Sequence, residues 1–436
     1  MQAVRLRPLV RSLAHWQKRN SSAHATAFFS SSTGYVKFNV DPAYAKSVEM
    51  YAPQHRSLEN YAKLDHDAKS KLFSSTFATT ESPSMIPRME YYIRSLQDSI
   101  CSALEAIEAE NASPSCSPTY GKPGAKFRVE EGKRDGPGML GGSSTRVLQD
   151  GAVFEKAGVN TSVIAGKLPY SRLKSMRADH AELHKRLAEA KSKGAEEDPK
   201  FAFRVAGISL VLHPHNPKVP TVHANYRLFE LDIEGSTIWW YGGGSDLTPT
   251  YVVEDDARHF HNVVRAVCDA HDPAIRSTGT TENRVLYPRF KAWCDKYFYL
   301  PHRGECRGIG GLFFDDLDDR NSSLSTNELT QFVTACGDYF NPSYFPIVRR
   351  RVGESYTPEE KRFQQLRRGR YVEFNVMYDR GTKFGLETMP KDAQVRTEAI
   401  LMSLPLTARW EYRHEPDPST PEGKTLEILR NPVEWL

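Results

Sequence analysis

The stretch from Gly207 to Thr250 reads GISLVLHPHNPKVPTVHANYRLFELDIEGSTIWWYGGGSDLTPT. Pro-rich and Gly-containing breaks divide it into three strand-like runs, the pattern of a meander. Side chains alternate along a strand, so Ser209, Val211 and His213 fall on one face of the first run. His223, Asn225, Arg227 and Phe229 share a face of the second for the same reason. The third run ends in Trp239-Trp240-Tyr241 and a Gly242-Gly243-Gly244 triplet, read as a flexible turn that carries Asp246. A hydroxyl, two imidazoles, an amide, a guanidinium and a carboxylate in so short a stretch exceed what packing calls for. The stretch reads as a site.

Other residues test the obvious chemistries. The histidines His213, His223, His261 and His302 recur near strand and loop segments, and H-x-H occurs twice. They are weak metal candidates, because no acidic residue falls at the spacing of a zinc motif. Gly308-Ile309-Gly310-Gly311 leads into a strand and does not match G-x-G-x-x-G, so nucleotide binding is poorly supported. The C-terminal half is rich in arginine: Arg303, Arg307, Arg367, Arg368, Arg370, Arg380 and Arg396. Guanidinium groups grip carboxylates through paired N–H donors. Singly, such residues are most often surface ion pairs; as a group they point to a substrate with several carboxylates.

The elements that would carry these residues follow from apolar periodicity. An amphipathic helix is predicted over 87–110, and a loop-rich segment over 111–146. A hairpin turning at Asp150-Gly151 spans 147–166. A second, highly charged helix covers 168–196. After the central stretch come a helix over 255–271, a polar surface loop over 272–286 and an aromatic helix over 287–300. Residues 302–319 supply a loop, a strand and an acidic end. Helices at 325–339 and 358–367, a strand at 371–378 and a last helix at 395–403 complete the chain. Strands that adjoin without crossover helices predict an α+β fold with a large antiparallel sheet covered by helices.

The 436-residue chain is 39% hydrophobic and 26% charged, as a globular protein would be. No run of eighteen apolar residues occurs, so no transmembrane segment is expected. The net charge of +4 belongs mostly to residues 1–40, which hold six basic side chains and no acid. Removing them leaves 52 (58 less 6) basic residues against 54 acidic ones, which argues against a nucleic-acid partner. The Arg-bearing, Ser-rich, acid-free leader reads as an organellar transit peptide, mitochondrial more than plastid, and lacks the apolar density of a folded element. Residues 41–85 read as a loosely ordered lead-in, and 86–436 as one domain. The six cysteines form no C-x-x-C pair, which suits a reducing compartment and neither a disulfide framework nor a zinc site.

Longer motifs carry a resemblance. KAWCDKYFYLPHRGECRGIGGLFFDDL, HPHNPKVPTVHANYRLFE, WWYGGGSDLTPTY, VLQDGAVFEKAGVN, RRGRYVEFNVMYDRGTKFGL and ILMSLPLTARWEY closely resemble the oxygen-dependent coproporphyrinogen III oxidases, from about Pro87 to Leu436. The resemblance implies oxidative decarboxylation of the ring A and ring B propionates of coproporphyrinogen III to vinyls, giving protoporphyrinogen IX. Molecular oxygen would be the co-substrate, and no cofactor would be needed. It also implies a flat sheet between helices, a homodimer and a mitochondrial intermembrane-space location, with plastid or cytosol as alternatives and peripheral membrane association left open.

By the same resemblance His223 matches a proton donor, and Ser209 and Asn225-Tyr226-Arg227 match substrate contacts. Asp246 is the acid that could collect the pyrrole N–H groups. His213, His261 and His302 match positions assigned to a divalent metal in some bacterial relatives. The family's Gly-Gly-Arg loop is lengthened here, and Gln394 and Val395 precede Arg396. Two rival readings stand beside this one: a metal-dependent hydrolase built on the histidines, and an inactive porphyrin-binding protein. Retention of both His223 and Asp246 speaks against the second.

Overall fold

Alternating burial along 200–248 is the basis of the architecture. In the computed structural model, which describes residues 25–31, 34–40, 84–112, 124–136, 139–176, 181–193, 197–387 and 397–436, these residues form the middle of one seven-stranded antiparallel sheet. Its strands are β3 (Arg128–Gly136), β4 (Met139–Gln149), β5 (Phe154–Pro169), β6 (Lys200–Pro214), β7 (Thr221–Ile233), β8 (Ser236–Thr248) and β11 (Gly311–Leu317), numbered after a separate hairpin β1 (Ala25–Ser31) and β2 (Gly34–Val40) and with the short pair β9 (Tyr299–Leu300) and β10 (Glu305–Cys306) before the last. The order β11-β8-β7-β6-β5-β4-β3 is a meander with one late strand added beside β8. The β7–β8 turn fixes the register: Glu234 and Gly235 both have positive φ (49° and 79°), as a two-residue type I′ turn requires.

The helices are α1 (Ile86–Glu110), α2 (Tyr170–Met176), α3 (Ala181–Lys193), α4 (Glu254–His271), α5 (Pro273–Thr278), α6 (Leu286–Tyr297), α7 (Thr326–Asp338), α8 (Phe340–Arg351), α9 (Pro358–Met377), α10 (Arg380–Glu387), α11 (Thr397–Ile400) and α12 (Pro421–Arg430). One face of the sheet, bearing Ile208, Leu210, Ala224, Tyr226 and Leu228, joins α1, α4, α7 and α8 in the main core. Among the described residues, the other face is covered mainly towards its ends. Leu173 of α2 and Leu187 of α3 pack with Phe203, Phe229 and Trp240 at one end, and Phe298, Phe313 and Phe374 cluster at the other. The middle of this second face is left half-exposed.

The expected α+β class holds, with a large antiparallel sheet and helices on both faces. Several local expectations are corrected. Within residues 128–146, read as loop, lie paired strands whose Gly- and Ser-rich sequence carries little apolar signal. Residues 371–378, read as a strand, continue α9 to Met377. The Thr357/Glu360 capping box and Pro358 start that helix, and helical spacing puts Tyr371 and Phe374 on one side. The segment 272–286 contains α5, whose N-cap Asp272 also accepts from Val285 and Leu286 N–H. Helices α8, α10 and α12 were not anticipated; in α8, Pro342 and Pro346 masked the pattern. The hairpin β1–β2 lies inside the stretch read as unstructured leader. The lead-in from 41 to 83 falls outside the described residues, whereas Ser84 and the Met85 N–H bond to the buried Glu230 carboxylate, each at 2.8 Å.

Candidate active site

Register brings the predicted residues together. Ser209 stands opposite Asn225 on the neighbouring strand, Val211 opposite His223, and His223 opposite Asp246. Directly opposed residues of antiparallel strands project to the same side. Ser209, His223, Asn225, Arg227 and Asp246 therefore share the half-covered face.

Asp246 does not lie on a flexible turn. It is inside β8 and only 1% exposed. Its Oδ1 is 2.8 Å from His223 Nδ1, and Arg307 Nη2 donates to Oδ1 at 3.0 Å and to Oδ2 at 2.8 Å. Burial pushes the Asp246 carboxyl up, but the Arg307 charge and the hydrogen bonds from His223 and Arg307 outweigh it and hold it below its ordinary value. An anionic Asp246 can only accept, so His223 donates to it from Nδ1 and its Nε2 is directed to the opposite side of the ring.

Arg307 is itself buried. Its guanidinium lies 4.0 Å from the ring centre of Phe298, 4.3 Å from Tyr371 and 4.8 Å from Phe374, and donates to Asn375 Oδ1 at 3.2 Å. An aromatic cage of this kind stabilises a desolvated cation. The spacing of Tyr371 and Phe374 on α9 places two of its three walls.

A second cluster lies along the same face. Arg227 Nη2 donates to Asp315 Oδ1 at 2.9 Å, and Nη1 donates to Asn225 Oδ1 at 3.1 Å. Arg380 approaches the other Asp315 oxygen at 3.1 Å. The glycine triplet lies inside β8 instead of forming a turn, and its first member, Gly242, makes room for this cluster. A Cβ at Gly242 would stand 2.6 Å from Asp315 Oδ1 and 2.8 Å from Arg227 Nη2, and one at Gly243 would stand 2.5 Å from the Asn225 carbonyl oxygen. One imidazole held by a buried carboxylate thus sits beside a half-exposed cation and neutral donors. Such a site can move a proton next to a bound carboxylate.

Comparison with known proteins gives this geometry a family. The coproporphyrinogen III oxidase profile matches residues 88–435. A Drosophila melanogaster protein named oxygen-dependent coproporphyrinogen-III oxidase is 42% identical over 421 residues, covering 96% of this chain and 95% of its own length. The mitochondrial oxygen-dependent coproporphyrinogen-III oxidase of Homo sapiens is 47% identical over 353 residues, 81% of this chain and 67% of its own. The chloroplastic coproporphyrinogen-III oxidase 1 of Arabidopsis thaliana is 44% identical over 366 residues, 82% and 81% respectively. The chain belongs to the coproporphyrinogen III oxidase family.

Among coproporphyrinogen III oxidase motifs in this chain, not every expected contact reaches the site. Tyr226 points to the opposite face, where its hydroxyl donates to the Cys336 carbonyl at 3.1 Å. Arg396 lies outside the described residues. The four histidines named as metal candidates are not brought together. His213 bonds to the Ser403 carbonyl, His261 to the Tyr287 hydroxyl and the Ile309 carbonyl, and His302 to Tyr378 and Glu373. No group of three His, Cys, Asp or Glu arranged for a metal occurs among the described residues.

The arginine group is also mostly occupied internally. Arg303 pairs with Glu373, Arg367 with Glu305, Arg368 with Glu155, and Arg370 with both Glu305 and Glu373. Sequence reading missed the roles of Arg307 and Asp315. Arg307 was only one of seven arginines, and Asp315 was read as part of an acidic strand end.

Proposed function

We propose that this chain decarboxylates two propionates of coproporphyrinogen III oxidatively to vinyls, giving protoporphyrinogen IX. Each step breaks the bond to the carboxyl carbon, which leaves as CO2, and removes one hydrogen from the methylene next to the ring. The two electrons pass to molecular oxygen, which takes up two protons and leaves as H2O2. The balance closes with oxygen as the only oxidant, so the reading includes no further cofactor.

The observation that carries this reading is the His223–Asp246–Arg307 chain beside Arg227, Asn225 and Ser209. His223 Nε2 exchanges a proton with the substrate, and Asp246 fixes the ring orientation and tautomer. Asp246 therefore acts from behind the histidine, in place of the direct role at the pyrrole N–H groups expected from sequence. Arg227, with Asn225 and Ser209, holds a propionate through charge-assisted hydrogen bonds.

Relatives named mitochondrial and chloroplastic support an organellar location. The basic leader supports its role as a transit peptide, and the intermembrane space is the compartment we infer. No helix among the described residues is long and apolar enough to cross a membrane. A homodimer completes the reading, supported by exposed apolar side chains at Val376, Met377, Trp410 and Tyr412. The test is oxygen uptake by purified protein given coproporphyrinogen III under air, with the porphyrin product identified. Protoporphyrinogen IX with one O2 consumed per CO2 released is expected. No oxygen uptake, or product that keeps all four carboxylates, would contradict the reading.

A further inference from the structure

The line of side chains that includes Ser209 and Asn225 does not stop at β6. Thr145 on β4 stands opposite Asn160 on β5, Asn160 opposite Ser209, and Ser209 opposite Asn225. These four residues share the half-covered face and form one row across four strands. Asn160 Oδ1 accepts from Thr145 Oγ1 at 2.8 Å, just as Asn225 Oδ1 accepts from Arg227 Nη1 at 3.1 Å. Each amide has its carbonyl oxygen engaged by an internal donor and therefore presents its NH2 group. With the Ser209 hydroxyl between them, the row offers donors, the polarity an anionic oxygen requires. Asn160, Ser209 and Asn225 are all partly exposed, so the row is open to a ligand.

The next row along the strands keeps that surface low. Ser162 stands opposite Gly207, and Gly207 opposite Arg227. A Cβ at Gly207 would stand 2.9 Å from Arg227 Cβ, so the position stays bare. Neighbouring strands are about 4.8 Å apart, which puts Asn160 roughly 10 Å from Asn225. A single carboxylate on Arg227 and Asn225 cannot span that distance, whereas a ligand with carboxylates around a ring can.

We propose that Asn160, oriented by Thr145, binds a second carboxylate of the substrate, one that is not reacting while Arg227 holds its neighbour. This rests on the reading of the substrate as a tetrapyrrole with four propionates. Asn160 is thus a specificity residue and takes no part in proton transfer.

The test is steady-state kinetics with coproporphyrinogen III for wild type, Asn160→Ala, Asn160→Asp and Asn160→Ser, with thermal melting of each. Asn160→Ser keeps a small donor on the strand and supplies the measurement if the alanine variant does not fold. The expected result is a KM raised about 10- to 100-fold in Asn160→Ala, further in Asn160→Asp because like charges repel, and less in Asn160→Ser, with kcat within about twofold and melting unchanged. An unchanged KM in Asn160→Asp, or a loss that falls on kcat alone, would overturn the inference while leaving the activity in place. A wild-type protein that does not consume coproporphyrinogen III would instead remove the functional reading on which it rests.

Discussion

The two faces of β7 are built on different principles. On the helix-covered side, Val222, Ala224, Tyr226 and Leu228 are held by apolar packing, and the one polar group among them, the Tyr226 hydroxyl, has a backbone partner. On the other side, His223, Asn225 and Arg227 are held by charges: Asp246 with Arg307 behind one end, and Asp315 behind the other. Volume fixes the first face and electrostatics the second. The first should therefore tolerate loss of a hydrogen bond, and the second should not tolerate loss of a charge.

The largest effect expected is from Arg307→Met. It leaves Asp246 buried without its cation, a change that costs about 3–5 kcal/mol when one partner of a buried pair is removed. The sign with pH follows. Asp246 is held below its ordinary value in the folded protein, so its contribution to stability is present above about pH 4 and is lost as pH falls through the depressed folded value. Without Arg307, burial is opposed only by His223 and raises Asp246 relative to wild type, so the stability deficit should shrink as pH is lowered from 8 to 5. Denaturant titrations at both pH values check this; an equal deficit at the two would mean that Asp246 takes up no proton between them when Arg307 is gone.

Arg227→Ala comes next. A charge-assisted contact contributes about 1.5–3 kcal/mol, so KM for coproporphyrinogen III should rise roughly 10- to 150-fold. Arg227→Lys should recover only part, because an ammonium cannot bridge Asp315 and Asn225 as the guanidinium fork does. Full recovery by lysine would reduce the site to a point charge.

An effect confined to low pH belongs to the covered face. Burial pushes His261 down to about 3 and His215 down to about 4, and lowers His271. Below about pH 6.5 the unfolded chain takes protons that these folded histidines refuse, so stability should fall as pH drops from 6.5 toward 4. Each such group contributes a slope of about 1.4 kcal/mol per pH unit. His261→Gln should lower the proton uptake on unfolding by about one in that window; an unchanged slope would mean that His261 is protonated in the fold. Smallest of all, Tyr226→Phe should cost about 1 kcal/mol of stability and leave kcat and KM near wild type. A large kinetic loss there would place function on the packed face and break the comparison.

The face assignments were legible because a strand has a period of two: reading every second residue from His223 recovered the row that the register then aligned with Ser209 and Asp246. Asp246 itself was misplaced, because three glycines in succession look like a turn when the close neighbours they accommodate, Arg227 and Asp315 at Gly242 and the adjacent strands' backbone at Gly243 and Gly244, are invisible in local sequence. The run Tyr371–Tyr378 misled for a similar reason. Its residues have strand character, but the need to set Tyr371 and Phe374 on one side of Arg307 is a tertiary fact. Arg307 could not be told from six other arginines, since only the fold distinguishes a guanidinium behind the histidine from those paired with Glu155, Glu305 and Glu373. Helices α1 and α4 and the existence of a hairpin between β4 and β5 were legible because their periodicity is local, although the turn falls at Ala152-Val153, two residues beyond Asp150-Gly151.

The central claim is that His223 and Asp246 act as one unit. It is tested most directly by the double-mutant cycle His223→Gln, Asp246→Asn and the pair, measured as kcat for coproporphyrinogen III with oxygen uptake as readout. Loss of a proton-transfer group lowers a rate by roughly 10²- to 10⁴-fold. The account predicts a loss of that order for His223→Gln, a substantial loss for Asp246→Asn because the amide no longer enforces the Nδ1–H tautomer, and a double variant no slower than His223→Gln alone. Losses that multiply in the double variant would contradict it, and would make Asp246 an independent contact of the substrate.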